Sequence, residues 1–303
     1  MCTALGRQAL ALVAGELRER GVRVLLAPDH HCLTMLLPFQ LEGIAVRTIP
    51  TGTDTHLAAE PLRAALAARP DAAILHSCTH GTRARPALRV ALAEARAAGH
   101  LLVVDETHAI LEDDHLPADY HVASLRKLLP VPDGAWVTGL ARVPPLTRSA
   151  ADERLTALRE AGLSRGRGGL AVLDRAEELA DENWAPGAIS PTAMGVLARL
   201  DRAGLAATRR DNSERLRRSL PGLAVAATTC CVVVRHPGAE RLAAALAADG
   251  VRPPVDWGRP PGHGRDRPWR TDLLTLPVDE GLTAADLDRI AERTRALAAA
   301  WDR

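Results

Sequence analysis

Apolar and polar positions along the first 140 residues follow two rhythms in turn. Leu10, Leu12, Val13 and Leu17 fall at helical spacing with charge on the opposite face, so a helix is predicted over residues 8–19, ended by Gly21. Residues 22–27 (VRVLLA) then form a short, largely apolar run that ends before Pro28, the pattern of a buried strand. The alternation continues with a strand over 44–48, a helix over 57–68 closed by Arg69 and Pro70, and a strand over 72–77. A helix over 85–98 follows, with Pro86 in its first turn and Gly99 at its end, and then a strand over 101–105. Two further short strands are expected at 120–124 and 135–138.

Strands alternating with helices predict an α/β layer built on a mainly parallel sheet flanked by helices. In such sheets ligands gather at the carboxyl ends of the strands. Here those ends carry His30 and His31, residues 76–81, residues 105–108 and residues 124–127.

The rhythm changes after residue 145. Residues 145–190 are rich in Arg, Glu and Gly, and Ser164–Gly169 (SRGRGG) reads as a loop, because it lacks the spacing of a phosphate-binding glycine turn and no strand leads into it. Residues 191–220 form one long helical stretch. Strands at 223–235 and 272–277 and helices at 239–249 and 283–301 outline a small α+β tail, with Thr283 and Asp286 placed to cap the last helix. Residues 253–268, rich in Pro and Gly, are expected to be a loop. The predicted organisation is a large α/β domain over 1–145, a linker with interdomain helices over 146–220 and a small C-terminal domain over 221–303.

Composition narrows the choices of function. The chain has 303 residues, 47% hydrophobic and 25% charged, which excludes a mostly disordered chain. A net charge of +1 gives no sign of nucleic acid or an anionic membrane as partner, and no apolar run is long enough to span a bilayer. The first seven residues do not lead from a basic segment into an apolar core, so no export signal is expected. Five cysteines without a CxxC pair suggest reduced thiols and a cytoplasmic location.

One count stands out: of 38 Lys and Arg residues only Lys127 is lysine. Where a solvated positive charge suffices this chain uses arginine, so Lys127 marks a candidate for chemistry that arginine does not perform. A lysine amine can lose its proton and attack a carbonyl, whereas a guanidinium stays protonated. Asp105 ends a buried strand and Lys127 follows 22 residues later, after the next strand, so both belong at one sheet edge. A carboxylate that holds a ring nitrogen protonated and a lysine that forms an imine are the two protein groups pyridoxal 5'-phosphate chemistry needs. His108 can bond the cofactor or tune Asp105. Ser124 and the backbone N–H groups of Gly6 and Arg7, at a helix start, suit the phosphate. His30 or His31 can stack on the ring. A nicotinamide site is disfavoured, since PDHHC rather than a glycine-rich turn follows the first strand. A zinc site built from His30, His31 and Cys32 is disfavoured because adjacent residues seldom chelate one ion, so no metal is expected.

The run SLRKLLPVPDG at 124–134 resembles the Schiff-base lysine segment of fold-type I pyridoxal phosphate enzymes, and is most similar to the DegT-like sugar aminotransferases and the class V aminotransferases. LVVDETH at 102–108 resembles their strand with the pyridine-binding aspartate, GRQAL at 6–10 the phosphate turn, PDHHC at 28–32 the segment with the ring-stacking aromatic, and His80-Gly81 a turn beside the cofactor. The sequence departs from the family at Leu5, where a small hydroxyl residue is usual, and in having histidine at the stacking position. The resemblance implies the type I transferase fold and a homodimeric aminotransferase with a cofactor bound to Lys127. Its substrates would be a small amino acid or amino sugar-type amine and a 2-oxo acid. Elimination, racemisation, cyclisation or decarboxylation on the same residues is the alternative, and a non-catalytic binding homologue a more distant one. Arg83, Arg235, Arg252 and Arg270 are candidates to clamp a substrate carboxylate.

Overall fold

The computed structural model describes residues 1–255, 257–260 and 269–301, and the chain divides into two compact units. The first comprises residues 1–78, 84–110 and 116–200; the second comprises 79–83, 111–115 and 201–303.

The first unit is built on seven strands: β1 (Cys2–Thr3), β2 (Val24–Pro28), β3 (Ala45–Ile49), β4 (Ala72–Ser77), β5 (Leu102–Asp105), β6 (Tyr120–Ser124) and β7 (Ala135–Thr138). They are ordered β1-β7-β6-β5-β4-β2-β3. The pairs β6–β5, β5–β4, β4–β2 and β2–β3 are parallel, while β7 and β1 close one side antiparallel. The mainly parallel α/β sheet expected from the sequence is therefore present. Its central strands are apolar on both faces because helices cover both. On one face α1 (Gly6–Glu19) and α2 (Leu33–Leu41) pack over Leu25, Leu75, Val103, Tyr120 and Val122. On the other, α3 (Ala59–Ala68) and α4 (Pro86–Ala97) pack over Leu26, Ile74 and Val104.

Beyond residue 145 the first unit holds three α-helices among the described residues. They are α5 (Ala150–Ser164), α6 (Leu170–Glu182) and α7 (Pro191–Leu197). The interdomain stretch is thus mostly helical, and SRGRGG, read as a loop, ends α5 at Ser164 and makes a short 3-10 turn, Gly166–Gly169, before α6. A cap starts α5: the Ser149 hydroxyl accepts from the Asp152 N–H (3.1 Å) and the Asp152 carboxylate accepts from the Ser149 N–H (2.8 Å). Such a cap contributes about 1 kcal/mol. Another helix absent from the sequence prediction is α2, LTMLLPFQL, which carries no polar face to give it a period.

The second unit is an antiparallel sheet, β10-β9-β8, formed by β8 (Ala224–Ala227), β9 (Cys231–Arg235) and β10 (Leu273–Pro277). It is covered by α8 (Arg202–Ser219), α9 (Ala239–Ala248) and α10 (Ala284–Trp301) around Leu216, Val232, Val234, Leu242, Leu276 and Ile290. The small α+β tail is as expected, and Thr283 and Asp286 cap α10 reciprocally. The predicted helix over 191–220 is two helices, because Asp201 caps a new one through the Gly204 N–H. The expected loop at 253–268 lies partly outside the described residues. Among the described residues no helix is long and apolar enough to cross a membrane.

One buried group makes the first unit sensitive to acid. His76 on β4 is fully buried beside His56 (ring centroids 5.1 Å apart), and neither of its ring nitrogens has a hydrogen-bond partner among the described residues. Burial, followed by the charge of His56, pushes its pKa well below 6.5. The unfolded chain takes up a proton there below about pH 6.5 while the folded chain does not, so stability falls as pH drops through that value, by about 1.4 kcal/mol per unit. His76→Leu should remove one such proton from the acid slope of stability, as measured by urea unfolding between pH 4 and 6.5. An unchanged slope would show that the imidazole is not held neutral.

Candidate active site

Four parallel strands, β2, β4, β5 and β6, deliver their C-terminal residues to one edge of the sheet. Strand parity then selects the face. Val103 and Asp105 alternate out of β5 on one side, and Tyr120, Val122 and Ser124 out of β6 on one side. Val103, Tyr120 and Val122 all pack under α1, so Asp105 and Ser124 emerge on the α1 face.

Thr107 ties these two residues together. Its N–H donates to Asp105 Oδ1 (2.9 Å) and its hydroxyl accepts from the Ser124 N–H (3.0 Å). Asp105 is buried, and burial raises its pKa above the usual carboxylate range, against the Thr107 hydrogen bonds that pull it down. A cation facing this carboxylate would relieve the cost of its burial.

The N-terminus of α1 lies directly on Ser124. A Cβ built at Gly6 would stand 3.0 Å from the Cβ of Ser124, so only glycine permits this approach without displacement. The preceding residue, Leu5, has no side-chain oxygen with which to cap the helix. Its carbonyl takes the N–H groups of Gln8 and Ala9 (both 3.1 Å), which leaves those of Gly6 and Arg7 at the open helix end. The Ser124 hydroxyl beside them is buried and has no partner among the described residues. Two N–H groups without a partner among the described residues, a positive helix end and an orphaned hydroxyl form a cradle suited to a phosphate. Arg7 contributes to it through its backbone only, because its guanidinium turns away to the Ala180 carbonyl (2.6 Å), Asp181 (2.8 Å) and the Trp184 ring.

Lys127 follows β6 on a single helical turn, Leu125–Lys127. That turn is fastened from both sides: Leu125 N–H donates to the Gly134 carbonyl (2.9 Å), and Gly134 N–H to the Ala4 carbonyl (2.7 Å). The Lys127 side chain is 45% exposed. Its pKa is nevertheless lowered from 10.5 to about 8, first by the charge of Arg126 and second by burial, against the opposing pull of Glu177. Lys127 and His108 lie within electrostatic reach: burial, and then the charge of Lys127, push His108 down to about 4. His108 is therefore neutral at ordinary pH, a hydrogen-bonding group without charge. His30 and His31 are both buried after β2, and His31 Nδ1 is engaged with the Pro28 carbonyl (2.9 Å).

The structure thus brings Gly6, the Arg7 N–H, Asp105, Ser124, Lys127 and His108 to one edge of the first unit. Two residues that the sequence did not single out join Lys127 there. Glu177 on α6 accepts both Arg126 guanidinium nitrogens (2.6 and 3.0 Å) and Arg159 of α5 (2.6 Å), and lies 3.9 Å from the Lys127 amine. No local signal marked Glu177 or Arg159, which meet Arg126 from 51 and 33 residues away. Of the candidate carboxylate clamps, Arg235 and Arg270 share Asp272, and Arg83 lies 3.6 Å from Asp114, all within the second unit. Among the described residues no group of three His, Cys, Asp or Glu side chains is arranged to hold a metal ion.

No family model and no curated protein sequence matches the chain. Solved structures do. A DegT DnrJ EryC1 StrS aminotransferase from Brucella abortus aligns with a TM-score of 0.66 at 17% identity, over 98% of this chain and 85% of that one. The sugar aminotransferase CalS13 from Micromonospora echinospora aligns with a TM-score of 0.67 at 17% identity, over 98% and 86%. PseC of Helicobacter pylori, an aminotransferase involved in the biosynthesis of pseudoaminic acid, aligns with a TM-score of 0.70 at 10% identity, over 99% and 86%. At these identities the likeness establishes the fold, and the chain has the fold of the sugar aminotransferases.

The orphaned hydroxyl yields a prediction about the protein without any ligand. Burying a hydroxyl without a partner costs about 1–3 kcal/mol. Ser124→Ala should therefore unfold in urea with a stability no lower than the parent. A clear loss of stability would mean that the hydroxyl already serves the fold.

Proposed function

We propose that this protein is a pyridoxal 5'-phosphate-dependent aminotransferase acting on a small amino acid or amino sugar-type amine, with a 2-oxo acid as the other substrate. The observation that carries the reading is the cradle of Gly6 and Ser124 on the same sheet face as Asp105 and at the same edge as Lys127. The sugar aminotransferases among the structures of this fold support the amino-sugar side of the substrate choice. We further propose a homodimer, as the resemblance implies, and a cytoplasmic location, which five cysteines outside any disulfide support.

Pyridoxal phosphate, when bound, supplies a conjugated ring that accepts the electron pair released at the carbon bearing the amino group. The residues of this chain would hold it and move protons around it. The N–H groups of Gly6 and Arg7 and the Ser124 hydroxyl would hold the phosphate. Asp105, aimed by Thr107, would keep a proton at the ring nitrogen, and that cation would offset the burial of the carboxylate. His30 would lie against the ring, and neutral His108 would offer a hydrogen bond without competing for the charge of Asp105. Lys127 would hold the cofactor and move a proton to and from the reacting carbon. An amine with a pKa near 8 is suited to that work, since it is deprotonated in useful amount at mildly basic pH and still basic enough to recover a proton.

Borohydride reduction of the cofactor-treated protein, followed by peptide mass mapping, should place the cofactor mass on the peptide containing Lys127; its absence there would overturn the reading. Lys127→Ala and Lys127→Arg should both abolish turnover, because a guanidinium keeps the charge but not the reactive amine. Asp105→Ala should retain measurable cofactor binding and lose at least about 100-fold in kcat. Near-parental kcat would remove Asp105 from its role. Turnover that depends on added 2-oxo acid is the expected mark of transamination.

A further inference from the structure

The charges around Lys127 come from several segments. Groups from five segments act on its amine or feel its charge: Arg126 on its own turn, Glu177 on α6, Arg159 on α5, Cys32 just before α2 and His108 after β5. Arg126 and Arg159 are permanently charged, and their side chains are only 8% and 9% exposed. Glu177 stands among them and is the carboxylate shared by all three cations, at 2.6 Å from Arg126, 2.6 Å from Arg159 and 3.9 Å from Lys127. Against the upward push of its own burial, Arg126, Lys127 and Arg159 hold its carboxyl down at about 2, so it is ionised throughout the working range. His108 is neutral there. The amine therefore titrates in a field of two fixed positive charges and one fixed negative charge, with Cys32 adding a smaller upward pull.

We propose that Glu177 is a positioning residue for Lys127. It acts on the amine directly as its nearest anion, and it holds the Arg126 and Arg159 guanidiniums in a clamp that opposes their repulsion of the ammonium. This inference rests on the reading of Lys127 as the reactive amine. Two guanidiniums alone would drive the proton off the amine and leave a weak base that recovers protons poorly. The single carboxylate restores part of the amine's basicity. The bidentate grip of Arg126 also fixes the segment immediately before Lys127, so the same contact sets both the position and the basicity of the amine.

Because Lys127 is the sole lysine, an amine label reports on it with only the N-terminal amine beside it. The full-length, cofactor-free protein can be reductively methylated with 13C-formaldehyde and titrated by NMR, with Lys127→Arg assigning the two signals. The Lys127 signal of the parent should titrate near 8. In E177Q its midpoint should fall by about 1 unit, the low end for loss of an opposite charge at this range, given the exposure of the amine. In R126Q it should rise. A midpoint in folded E177Q that is unchanged or higher overturns the proposal. Should E177Q not fold, E177D, with its carboxylate drawn back by one methylene, must lower the midpoint by a smaller amount; no change there overturns the proposal equally. Cofactor attachment is read separately by borohydride mapping. A protein that takes up no cofactor but shows the shift loses the aminotransferase reading and keeps this one. A protein that binds the cofactor at Lys127 and shows no shift does the reverse.

Discussion

The arrangement of the site depends on a close approach that one missing methyl group permits. Position 6 begins α1 directly against the end of β6, where a side-chain carbon would press on Ser124 at 3.0 Å. With glycine there, the positive end of a 14-residue helix, two open N–H groups and an orphaned hydroxyl occupy the same few ångströms. The neighbouring segments are fastened to this contact. The Ala4 carbonyl receives the Gly134 N–H, and the Gly134 carbonyl receives the Leu125 N–H at the head of the lysine turn. The helix end at Gly6 and the lysine turn are thus two ends of one hydrogen-bonded assembly.

Electrostatics divides the labour between a buried carboxylate and a half-exposed amine of that assembly. Asp105 is buried and only modestly compensated by Thr107, which leaves it in need of a cation. Lys127 is surrounded by more positive than negative charge, which leaves its amine inclined to lose a proton. A carboxylate that favours a facing cation and an amine that gives up its proton are complementary needs, and they are set by different surroundings on one sheet edge. Arginine supplies the permanent charges of this environment and the single lysine supplies the charge that changes.

The helices α5 and α6 were not visible in the pattern of residues, yet they complete the site. Their faces carry Arg159 and Glu177, and α5 begins at a capping pair, Ser149 and Asp152, whose spacing is a sequence signal for a helix start. Arginine and glutamate on most of their turns hide the apolar stripe of Leu155, Ala176 and Ala180, which packs against Ala4 and Leu5. The helix α2 escaped for the opposite reason: a nine-residue segment of almost wholly apolar composition has no polar face against which a period can be measured.

The sequence by itself determined the alternation of strands and helices, the strand ends at Asp105 and Ser124, and the singular character of Lys127. These are local matters, written in the spacing of apolar residues and in the choice of one residue type over another. The tertiary structure decided which side chains meet. Strand parity turned Asp105 and Ser124 toward α1, Arg7 was diverted to Ala180 and Asp181, and a carboxylate 50 residues downstream became the nearest anion to the Lys127 amine. Such pairings arise only when distant segments are packed into one core. The Coulomb energy that follows depends on distances of a few ångströms that no spacing along the chain encodes.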